Sequence, residues 1–166
     1  MRLSTFIIPS VVAWAFAVGV TPPAFGQLLT HKDLSMAMAL TIAQTAIDAC
    51  KKQGYKVSAH VLGRNGEVLV ALRGDGTGPH TFENSMKKAY TSRTFSTPSG
   101  RFAERIRQNP TSGQIFLSNV VAAQGALPIT VGEEVIGAIG ISGAPGGDKD
   151  EACAKAGIDR VAGLLK

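Results

Sequence analysis

A chain of 166 residues, 45% hydrophobic and 17% charged, carries enough apolar material for one globular core and is too apolar to be disordered. Its excess of positive charge, +5, is mild and lacks interleaved aromatic residues, which argues against nucleic acid as a partner.

The first 26 residues read as a signal peptide. Arg2 supplies a positive start, Phe6 to Val20 form an uncharged apolar stretch short for a bilayer, and Ala24-Phe25-Gly26 places small residues where a signal peptidase reads. Cleavage after Gly26 would leave 27–166 as one exported domain, periplasmic or secreted. No later apolar run reaches membrane length, so no membrane span is expected after signal removal.

The mature chain opens with a helix. Met36, Leu40, Ala43, Ile47 and Cys50 recur at helical spacing and predict its buried stripe. Thr30 with Asp33 resembles a capping box, and Lys51, Lys52 and Gly54 form a charged last turn and a stop. The period then changes to two. Runs 56–62 and 67–73 read as strands, and Asn65-Gly66 between them is a strong hairpin signal. Apolar residues on both faces of the second run predict a sheet covered on both sides. After the glycine-rich loop Gly74 to Gly78, residues 81–95 read as a helix. Pro98 breaks it before a second helical run over 100–108. Residues 109–126 are weakly periodic and carry no assignment. Residues 127–131 and 135–141 form a second strand pair. Asp148 is the expected N-cap of a final helix whose apolar positions are Ala154, Ile158, Val161 and Leu165.

This order of helix, hairpin, helices, hairpin, helix implies an α+β domain with an antiparallel sheet between helical layers. The two cysteines, Cys50 and Cys153, lack CxxC spacing and lie far from any metal-ligand pattern, so a structural disulfide is expected in an oxidising compartment. Antiparallel packing of the first and last helices on one face would bring the two together.

Chemistry-bearing patterns are sparse. Lys87, Lys88, Arg93, Arg101, Arg105 and Arg107 lie close together in sequence, opposed only by Glu104, and form a candidate anion patch. Gly140-Ile141-Ser142-Gly143 falls short of a nucleophile elbow, and no HExxH, EF-hand or phosphate loop is present. No catalytic residue is assigned, and a non-enzymatic role is expected.

Several stretches together resemble the GlcG/HbpS family of haem-binding-type proteins. They are Val57-Ser58-Ala59-His60-Val61 with Asn65-Gly66, Arg73-Gly74-Asp75-Gly76, Lys88-Ala89-Tyr90-Thr91 with Phe95 and Pro98, and Leu127-Pro128-Ile129. The closing run from Val135 to Gly143, with Asp148, Asp150 and Ala156-Gly157, is the most specific. Where the family often has a Gly-Gly pair before the Leu-Pro-Ile strand, this chain has Gln124-Gly125-Ala126. The resemblance implies a profilin-like fold with a five-stranded antiparallel sheet and helices on both faces. It also implies homo-oligomers, dimers or higher, and binding of haem or, more weakly, Fe³⁺.

Haem needs an axial donor, an apolar slot and cations for its propionates. His80 is the first axial candidate, because it begins a helix after a permissive loop. His31 and His60 are the others. Phe82 and Met86 are candidate pocket walls, and Lys87, Lys88, Arg93, Arg101 and Arg105 are candidate propionate partners. The Asp148, Asp150, Glu151 group is the candidate for Fe³⁺. The alternative function is an accessory protein or enzyme of a catabolic pathway that binds a small carboxylate on the same basic cluster.

Overall fold

The computed structural model describes residues 26–166. The expected signal peptide therefore falls almost entirely outside the described residues. Gly26 to Thr30 are exposed and carry no regular structure, and His31–Lys166 form one compact unit.

Helix α1, Met36–Lys52, starts at Ser35, whose hydroxyl accepts the Met38 N–H at 3.2 Å. The expected Thr30–Asp33 capping box does not form. Asp33 instead accepts from Arg64 and pairs with His31. Strands β1, Ser58–Leu62, and β2, Val68–Arg73, pair antiparallel across the Asn65-Gly66 turn, where Gly66 takes φ 81°. Helix α2 is Pro79–Phe95 and α3 is Ser99–Gln108, with Pro98 as the N-cap of α3. Strands β3, Ala126–Val131, and β4, Glu134–Ser142, precede α4, Gly147–Val161.

The sheet among the described residues has four strands in the order β2-β1-β4-β3, all antiparallel, which corrects the expected five. Residues 109–125 supply no further strand. They form a 3₁₀ turn, Gly113–Phe116, and a loop whose Val121 exchanges hydrogen bonds with the Thr91 hydroxyl rather than with a strand backbone. Pro128, which cannot donate to a ladder, sits on the edge strand β3 where the loss is tolerated.

Helices cover both faces. On one, α1 and α4 run antiparallel over Ala59, Val61, Ile139 and Ile141. They approach closely at Gly157, where a Cβ would lie 2.4 Å from the Ile42 carbonyl. This contact selects the buried side of α1: Ala39, Ile42, Ala43, Ala46 and Cys50 are buried, whereas Met36 and Leu40, expected in the stripe, are 64% and 43% exposed. Cys50 and Cys153 form a disulfide with their Cα atoms 5.5 Å apart.

On the other face α2 presses on β4 at Gly140, where a Cβ would come 2.2 Å from the Ser85 carbonyl. A second cluster of Phe102, Ile106 and Val120 holds α3 beside it. Strand β1 is buried throughout, but β2 is an edge strand with Val68 and Ala71 exposed, so coverage of both faces stops short of it. Among the described residues no helix is long and apolar enough to cross a membrane.

Candidate functional site

Helix α2 carries two lines of polar residues to different places. His80, Asn84 and Lys88 follow i, i+4, i+8 and so share a face. That face lines a pocket of about 440 Å³, closed by Lys56, Thr81, Ser142 and the loop from Gly143 into the start of α4, with Gly76 and Gly78 opposite. At its inner end Lys88 and Asp150 form a buried ion pair. The Lys88 ammonium donates to Asp150 Oδ2 at 2.8 Å and to the Ile141 carbonyl at 3.1 Å. The second Asp150 oxygen accepts the Ala144 N–H at 3.0 Å. Burial pushes the Asp150 carboxyl above its ordinary pKa, while Lys88 and the Ala144 N–H pull it back down.

Asp150 is thus an internal partner, and the N-cap expected at Asp148 does not form. The N-cap of α4 is Gly146, with no side-chain cap bond, and Asp148 lies past it. Gly125 admits the lysine: it takes φ 136°, and a Cβ there would stand 2.6 Å from Lys88 Nζ. The neighbouring Ala126 is fully buried. The departure from a Gly-Gly pair therefore keeps the one glycine that the lysine needs. Elsewhere in the lining, Asn84 Nδ2 donates to the Ser142 hydroxyl at 3.0 Å, and the Thr81 hydroxyl donates to the Gly78 carbonyl at 2.8 Å.

The other line of α2, Phe82 and Ser85, meets the sheet. Ser85 donates its hydroxyl hydrogen to the Phe82 carbonyl, so it accepts from His60 Nδ1 at 2.8 Å, which fixes the imidazole tautomer. The Phe82 ring lies edge-on to His60 with 4.5 Å between centroids, and the Arg73 guanidinium sits over the Phe82 ring at 5.1 Å. His60 is 3% exposed, and burial lowers its pKa to about 4. It is neutral and locked at neutral pH. Phe82 therefore packs on His60 and does not line the His80 pocket, and neither does the half-buried Met86.

The basic cluster is dispersed by the fold. Lys88 alone of its members lines the pocket. Lys87 pairs with Glu83 along the helix at 2.5 Å, and Arg107 pairs with Glu104. Arg105 stacks on Phe95 and Phe102, at 5.5 and 5.2 Å. Arg101 is exposed, and Arg93 is half-buried with its Nε unpaired. His31 pairs with Asp33 at 3.1 Å in the approach to α1. Sequence reasoning missed Lys56, Asn84 and Ser142. The i, i+4, i+8 pattern through His80 was the signal available for Asn84; Lys56 and Ser142 reach the pocket by sheet pairing that no local pattern encodes.

A haem can be tested against these groups. His80 offers an imidazole without a side-chain partner among the described residues, and Lys56 offers a free cation for a propionate, so the donor chemistry fits. The pocket walls are polar, so they suit the propionate edge and leave the macrocycle faces outside. Among the described residues no cluster of three or more His, Cys, Asp or Glu side chains is placed to hold a metal ion.

Comparison with known proteins agrees with this architecture. The family model described as "Haem degrading protein HbpS-like" matches residues 34–159. A crystal structure of HbpS superposes with a TM-score of 0.77 at 35% identity, covering 87% of this chain and 99% of that one. A double mutant of HbpS from Streptomyces reticuli gives 0.77 at 33% identity, over 85% and 97%. The PduOC:Heme complex shares the fold, at TM-score 0.68 and 20% identity, over 76% and 93%. No curated protein matches the chain significantly.

Proposed function

The chain belongs to the HbpS-like family, and from that premise we propose that it is an exported haem-binding protein that holds its ligand through His80. One observation carries the choice of donor. Of the three histidines, His60 is buried and bonded to Ser85, His31 is paired with Asp33, and His80 stands exposed at the pocket mouth with no side-chain partner among the described residues. A bound haem supplies an iron with an axial position that an imidazole can fill. Lys56, on the same pocket, would receive a propionate. The family description and the heme complex among the structural neighbours support the ligand class.

Export is supported by the Cys50–Cys153 disulfide and by the signal-like first 26 residues. A homo-oligomer, dimer or higher, is part of the reading. Val68, Phe116 and Leu117 are 52%, 82% and 52% exposed and offer apolar surface to a second copy.

The test is a haem titration of the protein lacking residues 1–26, followed by absorption, with serum albumin as a control for nonspecific uptake. A saturable Soret band is expected, shifted or weakened in His80→Ala and unchanged in His31→Ala. A band that His80→Ala leaves unaltered removes the axial assignment, and the absence of a saturable band removes haem.

A further inference from the structure

The inner end of the His80 pocket has features that haem binding does not use. Its ionic partners nearly cancel: Lys88 and Asp150 are 5% and 3% exposed at their side chains and neutralise one another. Lys88 uses two of its three ammonium hydrogens on Asp150 and Ile141, leaving one donor free. Ser142 accepts from Asn84, so its own hydroxyl hydrogen is free as well, as is the second Asn84 amide hydrogen. Lys56 also lines the cavity, and its ammonium has no ionic partner among the described residues. The remaining acid nearby, Asp148, is exposed and outside the lining.

Two helices begin at this cavity, and neither has a side-chain cap. Helix α2 starts after Gly78, and Thr81 N–H is already bonded to the Gly78 carbonyl, so the His80 N–H is left without a backbone partner. Helix α4 starts after Gly146, whose carbonyl takes the Lys149 and Asp150 N–H groups, so those of Gly147 and Asp148 are left over. A convergence of free donors, four from the Lys56, Asn84, Lys88 and Ser142 side chains and two from the His80 and Gly147 backbone, with one net positive charge and no free acid in the lining among the described residues, recognises a small monoanion. A dianion would lack a second cation.

We propose that this cavity is a binding site for a small monocarboxylate, held by Lys56, Asn84, Ser142 and the first-turn N–H groups of α2 and α4. The Lys88–Asp150 pair acts as its rigid floor. The site differs from the basic run of residues 87–107 that the sequence singles out, of which it uses Lys88 alone. The inference rests on the cavity: Lys56 is shared with the haem reading, whereas Asn84, Ser142 and the helix N–H groups are not.

Acetate is the probe, titrated into haem-free protein and followed by ¹⁵N amide shifts, with malonate as the dianion. Saturable shifts are expected at His80 and Gly147, with malonate binding no more tightly. Lys56→Glu and Asn84→Asp, on exposed and half-buried side chains, should each weaken acetate about tenfold. Lys155→Glu, on the outer side of α4, should not. No saturable shift at these amides overturns the proposal. So does acetate binding that survives Lys56→Glu and is lost in Arg101→Glu, which would place the anion on the basic run instead.

Competition then separates the two sources of a carboxylate. Haem that displaces acetate where haem dimethyl ester does not identifies a propionate as the occupant. Acetate undisturbed by either identifies a free acid. A failed acetate titration alongside an intact Soret band refutes this site and leaves the haem reading standing.

Discussion

Acidification should destabilise this protein through His60, beginning near pH 6.5. The imidazole is buried in the sheet face under α2, donates Nδ1–H to Ser85, and has its pKa lowered by burial from 6.5 to about 4. A histidine with a folded pKa below its unfolded value binds fewer protons when folded. Its contribution is therefore fully present above about pH 6.5 and is lost as the pH falls toward 4. With those two values the loss works out at about 2 kcal/mol between pH 7.5 and 5, and at about 3 kcal/mol by pH 4. Urea unfolding at pH 7.5, 6, 5 and 4.5 measures it, with His60→Gln as the reference, since glutamine keeps an amide donor toward Ser85 but does not titrate. The variant should start less stable at pH 7.5 and converge on the wild type as the pH falls. A stability gap that stays constant to within about 0.5 kcal/mol from pH 7.5 to 5 would refute the reasoning, because His60 would then titrate alike in both states.

Two further outcomes follow from the packing. Replacing Cys50 and Cys153 by serine opens a loop spanning a sequence separation of 103 and should cost about 4 kcal/mol, read as a lower urea midpoint; a loss under about 1 kcal/mol would mean that the α1–α4 contact holds without the bond. Lys88→Met strands the Asp150 carboxylate in the interior and should cost about 3–5 kcal/mol, while Lys88→Met with Asp150→Asn should recover most of it; no recovery in the double variant would show that the lysine acts through packing and not through charge.

Local chemistry accounts for what was readable in advance. Asn65-Gly66 turns the first hairpin, Pro98 separates α2 from α3, and the helical period marks α1 and α4, all through interactions between near neighbours. The approach of Cys50 to Cys153 was readable too, because it needed only two helix ends and one antiparallel arrangement. The family resemblance overstated the sheet, since residues 109–125 form a 3₁₀ turn and a loop in which Val121 bonds the Thr91 hydroxyl.

The candidate site was legible at His80, Lys88 and Asp150, the last as a member of an acidic group and not as the partner of Lys88. Lys87 and Lys88 are neighbours in the chain, yet the helix turns them about 100° apart, so one pairs with Glu83 outside while the other meets Asp150 inside, 62 residues on. Arg105 lies in the same basic run and covers two aromatic rings. The sequence by itself determined the elements, their order and the stock of donors, because turns, caps and periodicity act over a few residues. Only the tertiary structure decided which donors face one another. Lys56 and Ser142 come together through the pairing of β1 with β4, and the buried side of α1 is selected by the missing side chain of Gly157. Both are contacts between distant parts of the chain, whose energies depend on partners that no local window contains.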